Sequence, residues 1–95
     1  MWSNWKSVNL SVEDCKEVEL SQSGTVNASS SRTFTFNFSN HFEELIGIKQ
    51  VSGNGEYGGI RNVSIDRVNK TITVQHTNMS SASNTAKITV VAFGY

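Results

Sequence analysis

The chain has 95 residues, with eight Lys and Arg balanced by eight Asp and Glu, a formal net charge of zero and a pI near 6.7. That length fits one domain, and a chain of this size buries roughly 60–70% of its unfolded surface. A surface that tracks phosphates needs a clear excess of basic residues, so the charge balance disfavours nucleic acid as a partner.

Hydrophobic residues make up 37% of the chain and charged residues 17%, with much of the remainder Ser, Thr, Asn and Gly. Disordered chains are richer in charge and poorer in β-branched and aromatic residues, so a folded β protein is expected. Cys15 is the one cysteine, which excludes an intramolecular disulfide and any cysteine-rich zinc site. The start, Met1-Trp2-Ser3-Asn4-Trp5, lacks the basic and apolar regions of a signal peptide. No apolar run approaches the roughly 20 residues of a membrane-spanning helix, and no membrane insertion is expected.

In chain order, residues 1–31 carry the weakest pattern. Val12 to Leu20 alternates faintly and fits a strand, with Val18 and Leu20 on one face, or a helical turn around Glu13–Glu17. Ser21 to Ser31 reads as a polar loop with one short strand around Val26. Residues 32–39 are the clearest element. Phe34, Phe36 and Phe38 alternate with Thr33, Thr35 and Asn37, which places three aromatic rings on one side of a strand. Their burial stabilises the fold by roughly 1.5–3 kcal/mol each.

A turn at Ser39-Asn40-His41 leads past Phe42 to a strand from Leu45 to Val51. Residues 52–59 read as a glycine-rich loop, in which Asn54-Gly55 favours a tight turn. Arg61–Asp66 and Thr71–Thr77 form a hairpin around Arg67-Val68-Asn69-Lys70, with Ile72, Val74 and His76 on one face. Residues 78–85 are a polar loop. The last strand, Ala86 to Tyr95, turns Ile88, Val90 and Ala92 one way and Val91, Phe93 and Tyr95 the other. A strand apolar on both faces needs a second cover, either from within the chain or from another copy of it. The pattern predicts an all-β fold: a small antiparallel β-sandwich of jelly-roll or Ig-like type, spanning 1–95 as a single domain with its core sheets in 32–95.

Chemistry is sparsely signalled. His41 and His76 are far apart and show no metal-binding spacing, so no metal and no cofactor is expected. His76 reads as an edge-of-core or surface histidine with its hydrogen bonds satisfied. No paired carboxylates, nucleophile elbow or phosphate-binding glycine pattern stands out, and an enzyme is not expected. Six Asn-x-Ser/Thr sites occur, at Asn9, Asn27, Asn37, Asn62, Asn69 and Asn78, and they read as a consequence of composition. One constellation has the chemistry of a sugar site: Glu56 and Tyr57 in the glycine loop, with His76, Asn78 and Asn84 near the next loop but one. Trp2 and Trp5, with Val91, Phe93 and Tyr95, are the candidate contacts for an oligomer.

From Phe34 to Tyr95 the chain resembles the C-terminal domains of bacteriophage tail-fibre proteins and, more loosely, the H-type lectin domain. The resemblance rests on the aromatic strand Phe34-Thr-Phe-Asn-Phe38 with Phe42, the aliphatic Ile46-Gly-Ile48, the glycine and asparagine loop, the hairpin with Val63 and Ile65, and the ending Val90-Val-Ala-Phe-Gly-Tyr95. Two features depart from it: the absence of proline near Phe42–Ile46, and Thr89-Val90-Val91 where those families often carry tryptophan. The resemblance implies a β-sandwich that assembles as a trimer or hexamer and recognises cell-surface glycan. It also implies a phage or prophage structural role, located in the virion or in the bacterial cytoplasm before assembly. The competing expectation is a monomeric carbohydrate-binding domain of a secreted protein.

Overall fold

The structure is a computed structural model and describes residues 15–54 and 58–95. Six strands follow one another: β1 (Lys16–Val26), β2 (Ser30–Asn37), β3 (Leu45–Asn54), β4 (Gly58–Asp66), β5 (Thr71–Asn78) and β6 (Asn84–Gly94). They form two antiparallel three-stranded sheets, sheet 1 in the order β1-β6-β3 and sheet 2 in the order β2-β5-β4. The first described strand pairs with the last and the second with the fifth. β3 and β4 then fold onto the remaining sides of β6 and β5, which is a jelly-roll type of winding reduced to six strands. The all-β sandwich expected from the alternation is what forms.

The core lies between the sheets, and its pattern is the period of two. On β2, Phe34 and Phe36 point inward, and Phe38 just beyond the strand joins them; none is more than 2% exposed. Phe38 also meets Phe42, with ring centroids 5.8 Å apart. On β5, Ile72 and Val74 face the same interior. On β6, Ala86, Ile88, Val90 and Ala92 are buried, while Thr89, Val91 and Phe93 on the other face are half-buried, as is Tyr95 just beyond the strand. β6 is thus the central strand of its sheet, and its inward face is fully covered by sheet 2.

Several boundaries differ from those read in the sequence. Ser21–Val26, expected to be mostly loop, is the second half of an unbroken strand that pairs with β6 from Lys16↔Gly94 to Val26↔Asn84. Composition misleads here because β1 is an edge strand. Its outward side chains, such as Ser21, Ser23 and Thr25, are exposed and need no apolar character. The loop expected over 52–59 contracts because β3 runs to Asn54 and β4 starts at Gly58, and the polar loop expected over 78–85 contracts to 79–83. Trp2, Trp5, Glu56 and Tyr57 lie outside the described residues.

The open sides of the sandwich are closed by side chains that cross from one sheet to a backbone carbonyl of the other. Beside β1 and β2, Arg32 donates from Nη1 to the Thr25 carbonyl at 3.0 Å, and Gln22 donates from Nε2 to the Thr35 carbonyl. Arg32 lies over Gly24, where a Cβ would collide with its guanidinium, and 5.1 Å from the Phe34 ring centroid. Beside β3 and β4, Arg67 donates from both Nε and Nη2 to the Ile46 carbonyl, at 3.2 and 2.8 Å. β3 and β4 also carry register irregularities, at Leu45/Gly47, Ile48/Gln50 and Ile60/Asn62. Bulges of this kind blunt an edge against pairing with another chain, a role that proline or charge plays elsewhere.

The β4–β5 turn shows why Asp66 starts it. Its Oδ1 accepts from the Asn69 backbone N–H at 3.0 Å and its Oδ2 from Asn69 Nδ2 at 2.8 Å. Lys70 then takes the left-handed conformation, φ 56°, that returns the chain to β5. The Asn69 bonds favour the ionised carboxylate and hold the Asp66 pKa below its ordinary value. A folded-state pKa below the unfolded one adds stability that is present above the unfolded pKa and lost as pH falls through the folded pKa. Asp66→Ala should therefore narrow the gap to wild type as a urea series is taken from pH 7 to below pH ~4, the ordinary carboxylate range. A gap that stays constant over that range would show that the charge on Asp66 does not support the turn.

Candidate functional site

Three connections meet at one end of the sandwich: the β1–β2 turn, the β5–β6 loop, and the strand ends Asn54 and Gly58 that flank residues 55–57. The registers fix this, since Val26 pairs with Asn84, Asn54 with Lys87, and Gly58 with Asn78. The strand ends Asn54 and Gly58 therefore lie at the same end as the β1–β2 turn and the β5–β6 loop.

Asn78 is the hub of that end. It is 2% exposed, and its side chain bonds to both the β1–β2 turn and the β5–β6 loop. Nδ2 donates to the carbonyls of Val26 at 3.0 Å, Asn27 at 3.3 Å and Ala82 at 2.9 Å. Oδ1 accepts from the Ser80 backbone N–H at 2.9 Å and from Asn84 Nδ2 at 3.3 Å. A backbone bond from Ser29 to the Ser80 carbonyl, 3.0 Å, joins the turn to the loop directly. Loops normally stay soft because their backbone groups face water. Here one buried amide satisfies four backbone groups, so the two loops are held to each other and to the sheets.

The structure brings His76, Asn78 and Asn84 together, lining one cavity of about 10 Å³ with Asn54 and Thr85. It turns the first two inward. His76 is 4% exposed and continues the inward face of Ile72 and Val74. Neither ring nitrogen has a hydrogen-bond partner among the described residues, so no described protein group supplies the bonds expected of a satisfied histidine. As buried groups, His76 and Asn78 shape the loops from beneath instead of presenting themselves at the surface. Asn78 is also one of the six Asn-x-Ser/Thr sites, and its burial removes it as a glycan acceptor in the folded chain. Asn27, Asn37, Asn62 and Asn69 are exposed. His41 lies at the opposite end, against Phe38, with ring centroids 6.1 Å apart. No cluster of three or more His, Cys, Asp or Glu occurs among the described residues.

The outer faces of the two sheets differ. Sheet 2 presents rows of hydroxyl and amide side chains, Thr33, Thr35, Thr73, Gln75, Asn62 and Ser64 among them. Ser31 bonds to Thr77 at 2.7 Å, and Ser64 bonds to Thr73. Sheet 1 is similar near the loop end, where Ser21 bonds to Thr89 at 2.9 Å. Toward the other end its central strand carries Val91, Phe93 and Tyr95. Val91 is flanked by Glu19 and Gln50, and Phe93 by Glu17 and Gly47. A Cβ at Gly47 would press on the Phe93 ring at 3.1 Å, so the glycine gives that ring its seat. Lys49 and Glu17 form an ion pair of 2.8 Å over this region, with both side chains more than half exposed, which makes it a weak tie.

No protein-family model, curated protein or solved structure matches the chain.

Proposed function

We propose that the chain is a non-catalytic, self-associating β-sandwich of the structural or receptor-binding kind carried by phage tail fibres, with sheet 1 as its assembly face. The observation that carries the reading is the half-buried stripe of Val91, Phe93 and Tyr95, set on a molecule whose other outer positions are mostly hydroxyl, amide or charged. Covering that stripe with the same face of a second copy removes apolar area from water, and zero net charge leaves no long-range repulsion to oppose it. The resemblance of residues 34–95 to tail-fibre and H-type lectin domains supports a trimer or hexamer.

Light scattering across a concentration range is expected to return a fixed multiple of the 10.5 kDa chain mass. Val91→Lys puts a charge in the stripe while pairing favourably with Glu19 across the strands. It should shift the mass to that of a monomer with an unchanged β-type circular dichroism spectrum. A wild-type monomer at every concentration would end the assembly reading.

The second reading, a monomeric carbohydrate-binding domain, is favoured by the braced loop end, because loops that need no ordering on binding lose less entropy to a ligand. A monomer that captures glycans on an array would establish it over the first.

A further inference from the structure

We infer that the cavity beside His76 is a binding site for one internal water molecule that joins the two sheets beneath the loops. The starting point is the imidazole. It is 4% exposed, and neither Nδ1 nor Nε2 has a hydrogen-bond partner among the described residues. A neutral histidine carries one donor and one acceptor, and more than about 90% of buried polar groups in folded proteins find a partner in protein or ordered water.

The cavity beside it has the size and the lining for such a partner. Its volume of about 10 Å³ lies at the lower limit for one water, roughly 10–15 Å³. It is too small for a sugar ring. Its lining includes Asn78 and Asn84, with Asn54 and Thr85 at its margin. Asn78 is already engaged at both ends of its amide, and Asn84 uses Nδ2 on Asn78 Oδ1, so Asn84 offers Oδ1 as an acceptor. A water bonded to one ring nitrogen and to Asn84 Oδ1 makes two bonds, within the range of about two to four found for internal waters. A metal ion is a poor fit, since the polar lining offers one imidazole with neutral amides and a hydroxyl, and no acid or thiolate.

The position gives the water a role. His76 belongs to β5 in sheet 2, and Asn84 and Thr85 open β6 in sheet 1. The water links the sheets beneath the loops that Asn78 ties together, so the two devices brace the same end at different depths.

Nuclear magnetic resonance on the wild-type chain tests this without any substitution. Long-range ¹⁵N spectra of the His76 ring are expected to show a hydrogen-bonded ring nitrogen, with a cross-peak between a ring proton and a slowly exchanging water. Oxygen-17 relaxation dispersion should count one long-lived water fewer in His76→Phe, whose ring fills the site without a polar atom. An atomic-resolution crystal structure should show density roughly 2.7–3.2 Å from a ring nitrogen. A ring that bonds directly to protein groups, or that shows no water contact in the wild type, overturns the inference. Should His76→Phe not fold, the wild-type ring spectra and density decide it.

Discussion

Replacing Asn78 with alanine is expected to lower the thermal unfolding midpoint by about 12–30 °C, at about 4–8 °C per kcal/mol for a domain of this size. The magnitude follows from what the amide leaves behind. The carbonyls of Val26 and Ala82 lose the Nδ2 donor, that of Asn27 keeps only its bond from the Ser30 N–H, and the Ser80 N–H loses its acceptor. A buried group stranded this way costs about 1–3 kcal/mol, and water can reach some of these after truncation, so the total comes to about 3–4 kcal/mol. Small domains have about 5–15 kcal/mol of stability in all, which makes this one of the most sensitive positions in the chain. Asn78→Asp separates hydrogen bonding from volume. It keeps an acceptor for Ser80 but turns a carboxylate oxygen toward three carbonyls. Burial and those dipoles disfavour the charge and raise the folded-state pKa of the new carboxyl above its unfolded value. The variant should therefore be most stable below the unfolded pKa and lose stability as pH rises through the folded one. Thermal melts of both variants at pH 4 and 7 test this, and a loss under about 1 kcal/mol for Asn78→Ala would show that water replaces the amide at little cost.

Phe36→Ala is the second large effect, at about 3–5 kcal/mol. Phe36 is 1% exposed, pairs in register with Ile72 and sits in the cluster with Phe34 and Phe38. Truncation opens a cavity that the surrounding β-branched side chains cannot fill without leaving their rotamers. The neighbouring Thr35→Ala lies on the exposed face and should stay within about 0.5 kcal/mol of wild type. In urea the first should move the midpoint by about 2 M at a slope near 2 kcal/mol/M, and the second hardly at all. Equal effects would mean that the two faces of β2 are not the core and solvent faces described.

These pairs mark how far the sequence could be read. Phe34, Phe36 and Phe38 announce their face because aromatic and polar residues alternate without interruption, and the two faces of Val90–Tyr95 are legible for the same reason. The second half of β1 is not, because its outer positions are serine and threonine and its inner ones include Gln22 and Gly24. Pairing with β6 and the passage of Arg32 over Gly24 decide its structure, and both are contacts distant in sequence. The site was half legible. His76, Asn78 and Asn84 were grouped by chemistry, but as surface ligand groups. The alternation already set His76 on the face of Ile72 and Val74, and carrying it two residues further would have placed Asn78 on the same inward face, under the loops. The bonds made by Arg32 and Arg67 had no signal, since a charged residue at an edge looks the same whether it meets solvent or a carbonyl.

The strand order has a consequence in time. β6 lies between β1 and β3, so sheet 1 has no hydrogen-bonded ladder at all until residues 84–94 are available. During synthesis β2, β4 and β5 can pair first, while β1 and β3 wait with Val18, Leu20, Ile48 and Val51 uncovered. Waiting strands of this kind are the species that associate wrongly in a crowded cell. The nascent chain is therefore most in need of a chaperone in the interval between the emergence of β3 and that of β6.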